Sequence, residues 1–198
     1  MKITDVKASI HRVPVEVPLL KEKIVTPIVF TTVETDAGVT GYGLTRGGQR
    51  FGMKEFINRE VAPFLRGKNP LETERVWHDL LKQFNARVQT GMWSSAVSTI
   101  DIALWDIKGK HYKEPVWRLL GGAQNPVQAY ITFGLKQYKK EQLVEVAKQL
   151  VAQGEKRLKM VVAVDPENPK VDAVRVEAVR DAVGDDVELM IDANYLFS

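Results

Sequence analysis

The chain has 198 residues, 44% of them hydrophobic and 27% charged, which is enough for one or two ordinary soluble domains with sizeable cores. The net charge is +3 with a pI near 9.0, but basic and acidic residues are interleaved, so the basic stripe of a nucleic-acid binder is absent. The lack of cysteine excludes disulfides, thiolate metal sites and a Cys nucleophile.

The opening MKITDVKASI has no apolar signal-peptide core, and no apolar run reaches the roughly 18 residues of a membrane span. A cytoplasmic protein without membrane or nucleic-acid partners is expected.

From Lys2 to Val13 the residues alternate as in a strand, and Ile28 to Glu34 is rich in β-branched side chains. Asp36-Ala37-Gly38 turns the chain and Val39 to Leu44 reads as the return strand, so the chain opens with a small antiparallel sheet. Glu16 to Thr26, carrying Lys21 and Lys23, is too irregular for an element and too long for a tight turn. Such loops on rigid scaffolds often carry recognition. Helical periods follow over Lys54 to Phe64, Leu71 to Phe84 and Met92 to Lys110, with Pro63, Pro70 and Gly91 as breaks.

Within Ala96 to Gly122, Ala96, Ile100, Ala103, Leu104 and Ile107 form an apolar stripe of helical period, with small residues that allow close approach. Asp101 and Asp106 interrupt that face and need partners. Pro115 starts a second short helix, Val116 to Leu120, which Gly121-Gly122 ends, giving a helix hairpin in the core of a domain. Strands followed by helices make residues 1–122 an α+β domain.

After Gly122 the pattern alternates: strand Val127 to Phe133, helix Lys140 to Gln153, strand Arg157 to Val164, helix Pro169 to Val183, strand Val187 to Ala193. These are βαβ units of a parallel sheet, either open and doubly wound or a closed barrel. No Gly-x-Gly-x-x-Gly joins strand to helix, which removes the main support for a dinucleotide-binding sheet.

The stretch AVSTIDIALWDIKGKHYKEPVWRLLGG resembles a signature of the mandelate racemase and muconate lactonizing enzyme group of the enolase superfamily, departing from it at Thr99, where a smaller residue is usual. Gly41-Tyr42-Gly43 matches the family's Gly-aromatic-Gly turn, with Leu44 where an acid commonly follows. The resemblance implies an α+β capping domain over residues 1–122. Residues 123–198 would then be the first three strands and two helices of a (β/α)8 TIM-like barrel, incomplete here because such a barrel needs on the order of 250 residues. It also implies that the loop Glu16 to Thr26 closes over substrate and that Thr45 to Gly52 is a second specificity loop.

On these loops Lys21, Arg46 and Arg50 are candidate carboxylate or hydroxyl contacts. Asp192-Ala193-Asn194 closes the third strand at its C-terminal end, where barrel active sites are built. Residues two apart on a strand share a side, and a carboxylate with an amide oxygen suits Mg2+, although a strand-end Asp is also an ordinary turn or cap residue. The resemblance makes Asp192 the first of three carboxylate ligands, the others belonging to the fourth and fifth strands, and Asn194 a substrate contact.

On the second strand Lys159 matches the first lysine of the family's Lys-x-Lys pair, and Val161 replaces the second, the proton-abstracting base. A register shifted by two would make Arg157-x-Lys159 the pair. Lys159 is the catalytic candidate, expected to have a lowered pKa in a low-dielectric mouth. Arg157 is a substrate-binding candidate. His11, His78 and His111 are scattered, with no ligand spacing among them.

The implied function is Mg2+-dependent removal of the proton α to the carboxylate of a small acid such as a sugar acid, in a homo-oligomer. Dehydration is favoured over racemisation, epimerisation or cycloisomerisation, because Val161 removes one of the two bases a racemase normally needs. A reading of another class is a non-catalytic remnant or binding module.

Overall fold

The computed structural model describes residues 1–21, 23–84, 90–122 and 126–196. Glu22 in the first long loop, Ala123 at the expected start of the second domain, and Ser198 lie outside the described residues. The chain divides into two compact units, Met1–Val15 with Val25–Ala123, and Glu16–Ile24 with Gln124–Ser198.

In the first unit, β1 (Ile3–Val15), β2 (Ile24–Thr35) and β3 (Thr40–Arg46) form a sheet in that order. β2 and β3 are antiparallel, with Thr31 opposite Gly43 and Val33 opposite Gly41. Gly38, at φ +74°, makes the connecting turn, a conformation in which a side chain would be strained.

Helix α1 (Arg50–Phe56) runs through a π-helical segment, Ile57–Val61, into α2 (Ala62–Leu65). Pro63 therefore does not break the helix as the sequence suggests. The widened segment just before it accommodates a residue that cannot donate to the preceding turn. Helices α3 (Thr73–Phe84) and α4 (Gly91–Tyr112) complete the unit.

Gly41 and Gly43 lie mid-strand on β3 rather than in a turn. A Cβ at Gly43 would overlap the Thr99 carbonyl oxygen, and one at Gly41 the Ala103 carbonyl, so the two glycines let α4 lie directly on the sheet. Thr99, the departure from the family signature, is fully buried and its hydroxyl bonds that of Thr31 on β2. Asp106 accepts from the Tyr42 amide at 2.9 Å and from Lys110 at 2.6 Å, while Lys110 also donates to the Thr40 carbonyl at 2.8 Å. The acid on the apolar stripe thus satisfies an outward amide of the edge strand.

Helix α5 (Val116–Leu119) follows Pro115, and Gly121 and Gly122 close it through bonds to the Arg118 and Trp117 carbonyls. None of its four residues is buried, so only the α4 arm of the expected hairpin is core.

The second unit holds the parallel strands β4 (Ile131–Phe133), β5 (Arg157–Val161) and β6 (Glu188–Asp192), with helices α6 (Lys140–Ala152) and α7 (Pro169–Val183) between them in the chain. β4 is shorter than the periodicity suggests. Ile131 already pairs with Leu158, the second residue of β5, so the ladder runs out and Val127 is exposed. Leu158 and Met160 are fully buried in a cluster with Leu143 and Ala147 of α6 and Val179 of α7.

Candidate active site

Strand alternation builds the polar face. Leu158 and Met160 point into the core, so Arg157, Lys159 and Val161 stand half-buried on the opposite face. Parallel register places Val161 beside Asp192, so Asp192 lies one pleat beyond Lys159 toward the C-terminal end of the sheet. The Lys159 stem spans that step, and its Nζ stands 3.0 Å from Asp192 Oδ2. The same ammonium lies 4.9 Å over the Tyr130 ring and 3.5 Å from its hydroxyl.

Asp192 Oδ1 accepts the Asn194 amide at 3.0 Å. β6 ends at Asp192, and Asn194 and Tyr195 follow with φ of +49° and +62°. The alternation expected to place Asn194 on the same side as Asp192 therefore stops short of it. The residue belongs to a left-handed turn that the Asp192 carboxylate holds.

The pKa expectation for Lys159 is also reversed. The hydrogen bond that Lys159 donates to Asp192 holds the ammonium above the ordinary lysine value, outweighing the lowering effect of burial, and Tyr130 adds to the rise. The Asn194 amide, and then Lys159, hold the Asp192 carboxyl below the usual range. In this chain Lys159 is a charged group, not a free amine.

Lys159 and Asp192 are thus brought together. Arg157 sits at the N-terminal start of β5, where its Nε meets Glu188 Oε2 at 3.1 Å. Lys21 is exposed on the segment Glu16–Ile24, which clusters with the second unit. Arg46 is exposed at the end of β3 in the first unit, and Arg50 opens α1 with its guanidinium over the Phe51 ring. His11 bonds Ser9 and meets Phe30 edge-on, and His111 packs on Tyr112.

Tyr130 escaped the sequence reading. The sequence places it inside the strand Val127 to Phe133, where an aromatic residue carries no signal of what lies across the sheet from it.

As a hard oxygen donor at a strand end, already facing a cation, Asp192 fits one position of a Mg2+ site. Among the described residues no three acids or histidines converge, so the other donors would come from elsewhere.

An antiparallel cap carrying a helical layer, joined to the opening strands of a parallel β/α sheet with an acid at a strand end, is the architecture of an enolase-type protein. Residues 1–121 match the family model described as the mandelate racemase/muconate lactonizing enzyme N-terminal domain, and residues 142–198 the enolase C-terminal domain-like model. The chain belongs to the mandelate racemase/muconate lactonizing enzyme family of the enolase superfamily.

It is 33% identical to arabinonate dehydratase of Saccharolobus solfataricus, over 86% of this chain and 46% of that protein. It is 32% identical to D-galactarolactone cycloisomerase of Agrobacterium fabrum, over 98% and 52%. A racemase from Streptomyces coelicolor, solved with bound magnesium, superposes with a TM-score of 0.85 at 27% identity, covering 99% of this chain and 56% of that one. The chain spans about half the length of the curated relatives it matches.

Proposed function

We propose that a protein carrying this chain with the remaining strands of its barrel is an acid-sugar dehydratase that removes the proton α to a carboxylate. The observation that carries the reading is the Lys159 and Asp192 pair at the C-terminal end of adjacent parallel strands, with Val161 in the next pleat. Its place matches where (β/α) folds build active sites, and the similarity to proteins named dehydratase and cycloisomerase supports the chemistry.

Asp192, with carboxylates from later strands, would hold Mg2+, which supplies Lewis-acid polarisation of the substrate carboxylate. Lys159, the cation beside Asp192 and over the Tyr130 ring, acts as a fixed positive charge that receives the substrate carboxylate and steadies the negative charge formed as the α C–H bond breaks. The departing α-proton goes to a base on the opposite face of the site. Its electron pair forms the new C=C bond as the β C–O bond breaks, and the hydroxide leaves as water after gaining a proton. The resulting enol tautomerises to the 2-keto acid. Lys21, Arg46 and the Asn194 carboxamide are the proposed contacts to substrate hydroxyl and carboxylate groups. Arg157 is a further proposed contact, one that substrate would have to draw from Glu188 at the start of β5.

Val161 also bears on racemisation, because a hydrocarbon stands where a second amine would be needed to work from this face. In deuterated water, NMR of both enantiomers of a sugar acid should show α-exchange in only one. Exchange into both at similar rates would replace this reading by racemisation. Lys159→Met should lower kcat by about 100-fold or more, the scale of removing one preorganised charge. Asp192→Ala should remove turnover and weaken Mg2+ binding measured by calorimetry, with the fold retained.

A further inference from the structure

The described residues of the segment Glu16–Ile24 form a strap with its own internal bonds. The Leu20 amide bonds the Val17 carbonyl at 3.2 Å, Leu19 adopts φ +61°, and Glu16 and Lys23 meet at 2.5 Å across its neck. Its polar attachment to the second unit runs through backbone carbonyls. Tyr138 Oη donates to the Pro18 carbonyl at 2.6 Å, and Gln142 Nε2 to the Leu19 carbonyl at 3.3 Å. Val17 and Leu20 pack against the second unit's core beside these bonds.

Tyr138 is itself fixed. It is 3% exposed, and Arg175 of α7, 6% exposed, donates from Nη1 to the Tyr138 carbonyl at 2.8 Å. Tyr138 lies in the loop between β4 and α6. In a parallel sheet that loop leaves the C-terminal end of β4, the same end of the sheet at which β6 terminates in Asp192. Lys21 follows the anchored residues by two positions and is exposed.

We infer that Tyr138 is a positioning residue: with Gln142 it fastens the strap to the loop after β4 and the first turn of α6, and so sets where Lys21 stands at the C-terminal end of the sheet. A buried hydroxyl aimed at a carbonyl selects one strap position, where apolar packing alone would tolerate sliding. Lys21 then meets substrate from a prepaid geometry rather than from a mobile loop. The step from strap to substrate rests on the proposed function; the anchoring does not.

Two readouts separate these parts. Tyr138→Phe keeps the ring packing and removes only the donor, so trypsin cleavage after Lys21 and Lys23 should quicken about fivefold to tenfold, the effect of one lost hydrogen bond on local opening. Cleavage after Lys148 in α6, measured in the same digest, should stay unchanged. Gln142→Ala should give a smaller rise at the same two sites. Unchanged strap cleavage, or an equal rise at Lys148, would overturn the anchoring.

In the enzyme with its full barrel, Tyr138→Phe should raise KM for a sugar acid about fivefold while kcat stays within about twofold, since the strap binds rather than reacts. An unchanged KM with faster strap cleavage would overturn the link to substrate. An unsubstituted enzyme inactive on sugar acids would count against the proposed function, and the proteolysis would still decide the anchor.

Discussion

The two units solve opposite problems. The first covers its sheet with α4 at backbone distance, Gly41 and Gly43 against the Ala103 and Thr99 carbonyls, and surrounds the contact with fully buried Ile100, Leu104 and Ile107. The second covers one face of three parallel strands with α6 and α7 and carries Lys159, Asp192, Arg157 and Glu188 on the other. Even the acids differ. Burial, and then Glu74, push Asp101 of α4 above the usual carboxylate range, while hydrogen bonds hold Asp192 below it. The first arrangement leaves little room for chemical change, and the second leaves ionic groups where a ligand can compete for them.

The most damaging test of this contrast is Gly43→Ala. The added methyl meets a backbone carbonyl rather than a flexible side chain, so helix and sheet must separate. A loss of at least about 3 kcal/mol is expected, or no cooperative melt for the first unit. Normal melting would show that the close approach is not essential.

Leu158→Ala should follow, destabilising by about 2–4 kcal/mol, because it opens a cavity between β5 and the helices that cover it. Urea denaturation measures this, and a loss no greater than that of an exposed substitution would mean the second unit is loosely packed.

The smallest effects are those of pH. Asp101 has a raised folded-state pKa, so the folded chain binds a proton more readily than the unfolded one. Its contribution to stability falls as pH rises through and just above the carboxylate range. Asp192 has a depressed one, so its contribution is present above that range and is lost as pH falls through the folded-state value. Asp101→Asn should therefore flatten a decline in melting temperature on the alkaline side of the carboxylate range. Asp192→Asn should flatten a decline on the acidic side and leave the neutral melting temperature within roughly 2 °C. The same slope change from both substitutions would erase the distinction.

Much of this was legible along the chain because it is local. Periods of two and near four located nearly every element, Gly38, Gly121 and Gly122 marked stops, and the small-residue stripe of Ala96 and Ala103 announced a close helix contact. Asp192 could be placed at a strand end, since an acid closing a β-rich run needs no knowledge of its neighbours.

Only the tertiary structure decided what depends on register between strands far apart in sequence. Val161 pairs with Asp192, which brings Lys159 within 3.0 Å of that carboxylate and reverses the expected direction of its pKa. Tyr130 joins them across a separation of 29 residues, and Tyr138 reaches Pro18 across 120. A sequence records which groups are available at each step of the backbone. Their free energies are set by which groups end up a few ångströms away, and that is fixed by packing the helices against the sheets.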